Sequence, residues 1–255
     1  MILYCAFIGS VFIMAASFVR KTPDKYPDFC IAAGLAVFSV LSVFAAAVSG
    51  LFRPLTLDLY FFAFDRRLGL DGLSLARYAY GTPWLRSLLI AVYGGLPLAF
   101  ATVWVFGKPG RVMIRSLLFA AVAGYVLYDV FPAVGPAHAF ADFPRIAPQG
   151  FGWIHPVDAH AARNCVPSLH FTWAMLLAWN CRARAVRVFT VVFLFLTALA
   201  TVAGGEHYFF DLIVSVPFCV VVQFAALRFQ DVRVPQGLRR LERTREPVIG
   251  RLEET

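Results

Sequence analysis

The chain has 255 residues, 60% of them hydrophobic and only 15% charged, with a net charge of +8 and a mean hydropathy of +0.72. Soluble domains run near ~45–50% apolar and ~25% charged, so this composition excludes an ordinary soluble enzyme, and it is too apolar for a disordered or collagen-like chain. Five cysteines (Cys5, Cys30, Cys165, Cys181 and Cys219) are scattered without a C-x-x-C pair, which indicates neither a disulfide framework nor a zinc knuckle. The excess positive charge is accounted for by membrane topology, with no need of nucleic acid.

A membrane-crossing helix needs roughly 20 mainly apolar residues. Seven stretches qualify, at 1–19, 29–52, 84–106, 112–134, 166–181, 187–205 and 207–228. They predict an all-α polytopic bundle of six or seven helices. The first has no basic residue before its apolar run and no small-x-small cleavage pattern before Arg20, so it reads as a retained helix rather than a signal peptide. Between the second and third, segment 57–80 is aromatic but interrupted by Asp58, Asp65, Arg66, Arg67 and Asp71, a charge load no spanning helix carries at its middle. It reads as one or two amphipathic pieces at the interface. The fifth stretch is short and contains Ser168, His170 and Asn180, as a buried or partial span would. Residues 1–228 form one integral-membrane domain in this reading, and 229–255 a charged cytoplasmic tail.

The basic residues set the orientation. Arg20, Lys21, Lys25, Lys108, Arg111, Arg115, Arg182, Arg184, Arg187 and the arginines after Phe218 all fall in connections on one side. The two long loops near 53–83 and 135–165 lie on the other. The positive-inside rule makes the short basic connections and the tail cytoplasmic and the long loops external, which for a bacterial protein is the periplasmic face of the inner membrane.

All five histidines lie between 138 and 207. Histidine is costly in hydrocarbon and titrates near neutrality, so their gathering toward one face needs a chemical reason. His170 follows Pro167-Ser168-Leu169 at a helix start, and His207 opens the last span four residues before Asp211. The i, i+4 spacing puts His207 and Asp211 on one helix face, where the carboxylate can fix the ring's tautomer and leave the other nitrogen free to attack. Taken alone, the same pair reads equally well as an interfacial anchor. Ser168, at a helix N-terminus, offers an anion cradle, and His170 a proton for a leaving oxygen. An in-line nucleophile, donors around equatorial oxygens and an acid behind the leaving group are the parts a phosphate ester requires. Arg163 and Arg145, in the outer loop, are the candidate phosphate-binding cations. His138 and Tyr208 are candidate pocket residues. His155, Asp158 and His160 have the spacing of a metal motif, but loop histidines so placed are more often solvated, and no metal or other cofactor is expected.

Together, Pro167-Ser168-Leu169-His170 and His207-Tyr208-Phe209-Phe210-Asp211, separated by one helical hairpin, resemble the type 2 phosphatidic acid phosphatase superfamily, whose active site is shared with vanadium haloperoxidases. The resemblance covers 160–225 closely, and 131–136 and the Leu-Gly-rich loop near 65–72 more loosely. It implies a six-helix core and a metal-independent phosphatase or phosphotransferase acting on lipid phosphates. His207 would become phosphohistidine, Asp211 orient it and His170 protonate the leaving group. Two features of the family pattern are missing. Thr201-Val202 stands where Ser-Arg is usual, and Ala46 stands where a lysine precedes Arg53-Pro54. The remaining pattern looks more like the branch of inositol-phosphotransferases of sphingolipid synthesis. A rival from another class is a proton-coupled transporter, against which the span middles are nearly free of ionisable groups. The expected partners are a lipid phosphate substrate and the surrounding membrane lipids.

Overall fold

The computed structural model describes residues 37, 40, 41, 44, 45 and 48–229. The first predicted span and the tail beyond Phe229 lie outside the described residues, as does most of the second span. The described helices, in chain order, are α1 (Asp58–Arg67), α2 (Gly72–Gly81), α3 (Pro83–Gly94), α4 (Leu96–Phe106), α5 (Arg111–Val130), α6 (Pro136–Ala139), α7 (Leu169–Asn180), α8 (Arg184–Ala203) and α9 (Phe209–Arg228). The protein is an all-α integral-membrane bundle. Among the described residues α5, α8 and α9 are each 20 residues long and apolar enough to cross a bilayer unaided, and large apolar side chains such as Val126, Phe195 and Phe224 are exposed on their outer faces.

The third predicted span is broken. It forms α3 and α4, bent by 55°, where Gly94 and Gly95 supply no side-chain packing and Pro97 brings no N–H to the ladder. The fifth is shorter than a full crossing. α7 has 12 residues, about 18 Å of helix against roughly 30 Å of hydrocarbon. It is enclosed by α4, α5, α8 and α9, so its polar groups meet protein instead of lipid. Asn180 and Gln223 exchange amide hydrogen bonds of 3.0 and 3.2 Å between α7 and α9, and Trp173 Nε1 donates to the Leu117 carbonyl of α5. At the start of α7, Leu169 packs so closely on α5 that a Cβ at Gly124 would lie 2.8 Å from Leu169 Cδ2.

The bundle has two chemically distinct ends. At one, the Gly107 carbonyl accepts from the backbone of Arg182 and Ala183, and Arg115 reaches the Phe229 carbonyl. Connections rich in Lys and Arg meet there. At the other end lie α1, α2, the 131–168 segment and the N-termini of α7 and α9. The charges in 57–80 that prevent a span have a structural use. Asp58 is buried and accepts from the backbone N–H of Val134 and Gly135 and from Tyr208 Oη. Asp65 is buried and accepts from the N–H groups of Phe209 and Phe210 at 2.7 and 2.8 Å, supplying acceptors for a helix start from a different helix.

Candidate active site

α9 begins with a reciprocal cap: the Asp211 carboxylate accepts from the Tyr208 N–H at 2.8 Å. This places Asp211 one turn inside the helix and turns His207, just before it, back over the carboxylate. His207 Nδ1 lies 3.0 Å from the Cys165 carbonyl and 3.2 Å from Asp211 Oδ2. Both neighbours are acceptors, so Nδ1 must carry the proton and Nε2 the lone pair. Asp211 Oδ2 also accepts from Cys165 Sγ at 2.8 Å, whereas Oδ1 is buried without a hydrogen-bond partner among the described residues.

His207 and Tyr208 line a cavity of about 350 Å³. Its other walls are the α1–α2 turn with Asp65, Arg66, Gly69 and Asp71, then Arg77, Pro136, Phe143 and Val202. Arg77 donates to the carbonyls of Pro144 and Arg145, which fastens the 144–145 loop across α2. Arg67 is stacked over Phe151, 4.4 Å from the ring centroid, and is not among the lining residues, whereas its neighbour Arg66 is.

The remaining residues singled out from sequence are distributed unevenly. Ser168 is fully buried, with its hydroxyl accepting from Phe171 N–H as the cap of α7 and its carbonyl accepting from Ser215. It is not part of the cavity wall. His170 does not line the cavity either; its ring is stacked on Tyr93 at 4.1 Å, and it shares an electrostatic neighbourhood with His207 and Glu206. Arg163 is 1% exposed and spends Nε on the Arg53 carbonyl and Nη1 on those of Ala159 and Ala161. Through Nε and Nη1 it tethers loops, and it is not among the residues that line the cavity. Arg145 is exposed and outside the cavity. The cations that the fold puts at the cavity are Arg66 and Arg77. Tyr208 reaches the cavity, but its hydroxyl is committed to Asp58.

His138 is not among the residues that line the cavity. It stands between Asp158, 3.5 Å from Nδ1, and Glu206, 3.7 Å from Nε2. The Glu206 contact raises the His138 pKa against the opposing effect of burial. Burial pushes Glu206 up, but His138 and the nearby rings outweigh it and hold the carboxyl below the usual glutamate range. Asp158 also accepts from the His160 N–H, so the H-x-x-D-x-H carboxylate is engaged locally. Asp65, at the cavity wall, has its pKa pushed up to about 7 by burial, against the two backbone N–H donors.

Sequence reasoning missed Asp65, Arg66, Cys165 and Glu206. Arg66 and Asp65 begin the Leu-Gly-rich loop, in which Gly69 takes a positive φ and Gly72 packs on Val202, and those glycines were the available signal. Cys165 and Glu206 each adjoin a motif, and nothing in their own spacing distinguishes them.

A family model described as the PAP2 superfamily matches residues 59–225, more than half of the chain. The chain is also 27% identical over 141 residues to undecaprenyl-diphosphatase BcrC of Bacillus subtilis (strain 168), covering 54% of this chain and 69% of that one. No solved structure matches it.

Proposed function

Since the chain belongs to the PAP2 superfamily, we propose that it is a metal-independent lipid phosphate phosphatase that works through a phosphohistidine on His207. The observation that carries this reading is the pinned Nδ1: with Cys165 O and Asp211 Oδ2 both accepting from it, the neutral ring keeps its nucleophilic lone pair on Nε2.

Nε2 attacks phosphorus in line, the bond from phosphorus to the lipid oxygen breaks, and the departing oxygen takes a proton from the imidazolium of His170, a neighbour of His207 outside the cavity wall that the bound leaving group has to reach. Water then attacks the phosphohistidine, His170 recovers a proton from it, and phosphate leaves with His207 neutral again. Asp211 stabilises the positive charge that the His207 ring carries in the intermediate. Stacking on Tyr93 fixes the plane of His170. Arg66 at the cavity supplies positive charge for the phosphoryl oxygens in place of the missing family arginine and lysine, while Arg77 holds the 144–145 loop beside it.

The likeness to an undecaprenyl-diphosphatase favours a polyprenyl diphosphate donor and water as acceptor. The basic connections gather at the end of the bundle opposite His207, which supports a reaction at the extracytoplasmic face. The test is turnover of a panel containing polyprenyl diphosphates, phosphatidic acid and a phosphoinositide donor with ceramide, with products read by mass spectrometry. Free phosphate from a polyprenyl diphosphate, lost in His207→Ala and His170→Ala proteins that remain folded in detergent, is the expected result. Headgroup transfer to ceramide without phosphate release would replace hydrolysis with the inositol-phosphate type of transfer.

A further inference from the structure

The underside of the His207 ring adds to His207 and Asp211 a third group, the Cys165 thiol, that the hydrolytic reaction does not use. Cys165 Sγ, His207 Nδ1 and Asp211 Oδ2 are all buried and converge, with Sγ 3.6 Å from Nδ1, Sγ 2.8 Å from Oδ2 and Nδ1 3.2 Å from Oδ2. Sulfur, imidazole nitrogen and carboxylate oxygen are the three ligand types that bind Zn²⁺, at about 2.3, 2.0–2.1 and 2.0–2.2 Å, which in a tetrahedral site separates the ligands by about 3.3–3.6 Å. Two of the three separations already lie near that spacing, and the third needs to open by less than about 1 Å. A second observation points the same way. Asp211 Oδ1, also fully buried, has no hydrogen-bond partner among the described residues and is available as a further oxygen ligand.

We propose that Cys165, His207 and Asp211 form a site for a thiophilic divalent cation, Zn²⁺ or Cd²⁺, whose binding silences the enzyme. The inhibitory consequence rests on the reading of His207 as the nucleophile; the binding site does not. The ion takes the place of two hydrogens. The Cys165 thiol loses its proton to solvent and binds as thiolate. Nδ1 exchanges its proton for the metal, and the neutral imidazole then carries its hydrogen on Nε2. The nitrogen facing the cavity changes from lone pair to N–H and cannot attack phosphorus. Hard cations such as Mg²⁺ and Ca²⁺ prefer all-oxygen sites and do not compete for this sulfur.

The test uses purified full-length protein in detergent with Cd²⁺ as the probe. Titration should produce a thiolate-to-cadmium charge-transfer band in the ultraviolet that is diminished in Cys165→Ser, and Cd²⁺ should inhibit lipid phosphate turnover with a half-inhibitory concentration at least about tenfold lower in the wild-type chain than in Cys165→Ser. If that variant does not fold, a chain with Cys5, Cys30, Cys181 and Cys219 changed to serine isolates the same sulfur, and cadmium X-ray absorption should find one sulfur ligand beside nitrogen and oxygen. Equal inhibition of wild type and Cys165→Ser, or no cadmium–sulfur ligation in the single-cysteine chain, would overturn the site. Cadmium–sulfur binding that depends on Cys165 in a protein lacking phosphatase turnover would keep the site and reject the phosphatase reading instead.

Discussion

Replacing Asp211 with asparagine tests the arrangement around the nucleophile at its most sensitive atom. Among the described residues Oδ2 accepts from three donors, His207 Nδ1, Tyr208 N–H and Cys165 Sγ, while Oδ1 has none. The amide oxygen of asparagine therefore takes the Oδ2 position, and its NH₂ falls where Oδ1 was, with no acceptor. Two separate losses follow. A hydrogen bond to a charged group contributes about 1.5–3 kcal/mol, and losing that stabilisation of the cationic ring in the transition state lowers kcat by about 10- to 150-fold. The buried, unsatisfied NH₂ costs a further ~1–3 kcal/mol of folding stability. Turnover of a lipid diphosphate and thermal unfolding in the same detergent measure the two independently. An Asp211→Asn enzyme with kcat within about threefold of wild type, and a folded state that melts normally, would refute the assignment of Asp211 as the carboxylate that steadies His207.

Arg66→Ala should lower kcat/KM for a lipid phosphate by about tenfold or more, as loss of a charged contact to phosphate oxygens would, whereas Arg145→Ala, outside the cavity, should match wild type in the same assay. Asp65 binds its proton more tightly in the fold than in the unfolded chain, so its contribution to stability is complete below about pH 4 and declines as pH rises through about 7. Asp65→Asn should lose that slope in melting temperature against pH and, because one of its two backbone acceptors becomes a donor, melt lower at pH 5. Gly135→Ala should be poorly tolerated: Gly135 has φ +86°, and its Cβ would sit 2.3 Å from the Glu206 carbonyl oxygen. Strain of this kind costs about 1–3 kcal/mol before the clash is relieved. The expected readouts are a lowered melting temperature and reduced turnover, since the displaced residue adjoins His207.

The bundle architecture was legible because apolar run length and basic loops are local properties of the chain. The starts of α7 and α9 were legible for the same reason, as Pro167-Ser168 and the His207–Asp211 spacing encode helix geometry within a few residues. The break in 84–106 was written in Gly94, Gly95 and Pro97, but the apolar run on both sides outweighed it in a window average. The roles of the charged residues in 57–80 were not legible. A run reading Asp58, Asp65, Arg66, Arg67 and Asp71 looks like a solvated surface until the fold brings Asp65 to the N-terminus of α9 and Asp58 to Tyr208, 150 residues away in sequence. The placement of the arginines was hidden for the same reason. Arg163 lies close to Ser168 along the chain, yet its Nε and Nη1 bond carbonyls of two loops, while Arg66 is remote in sequence and lines the cavity with His207.

The most direct measurement is to stop turnover of a phosphorus-labelled lipid substrate within its first cycles and locate the label on the protein by mass spectrometry under conditions that preserve phosphoramidates. The account predicts label on the peptide containing His207, attached at Nε2, released by water in a chase and absent from His207→Ala. Steady turnover with an unlabelled His207, or product formation by His207→Ala at the wild-type rate, would contradict it.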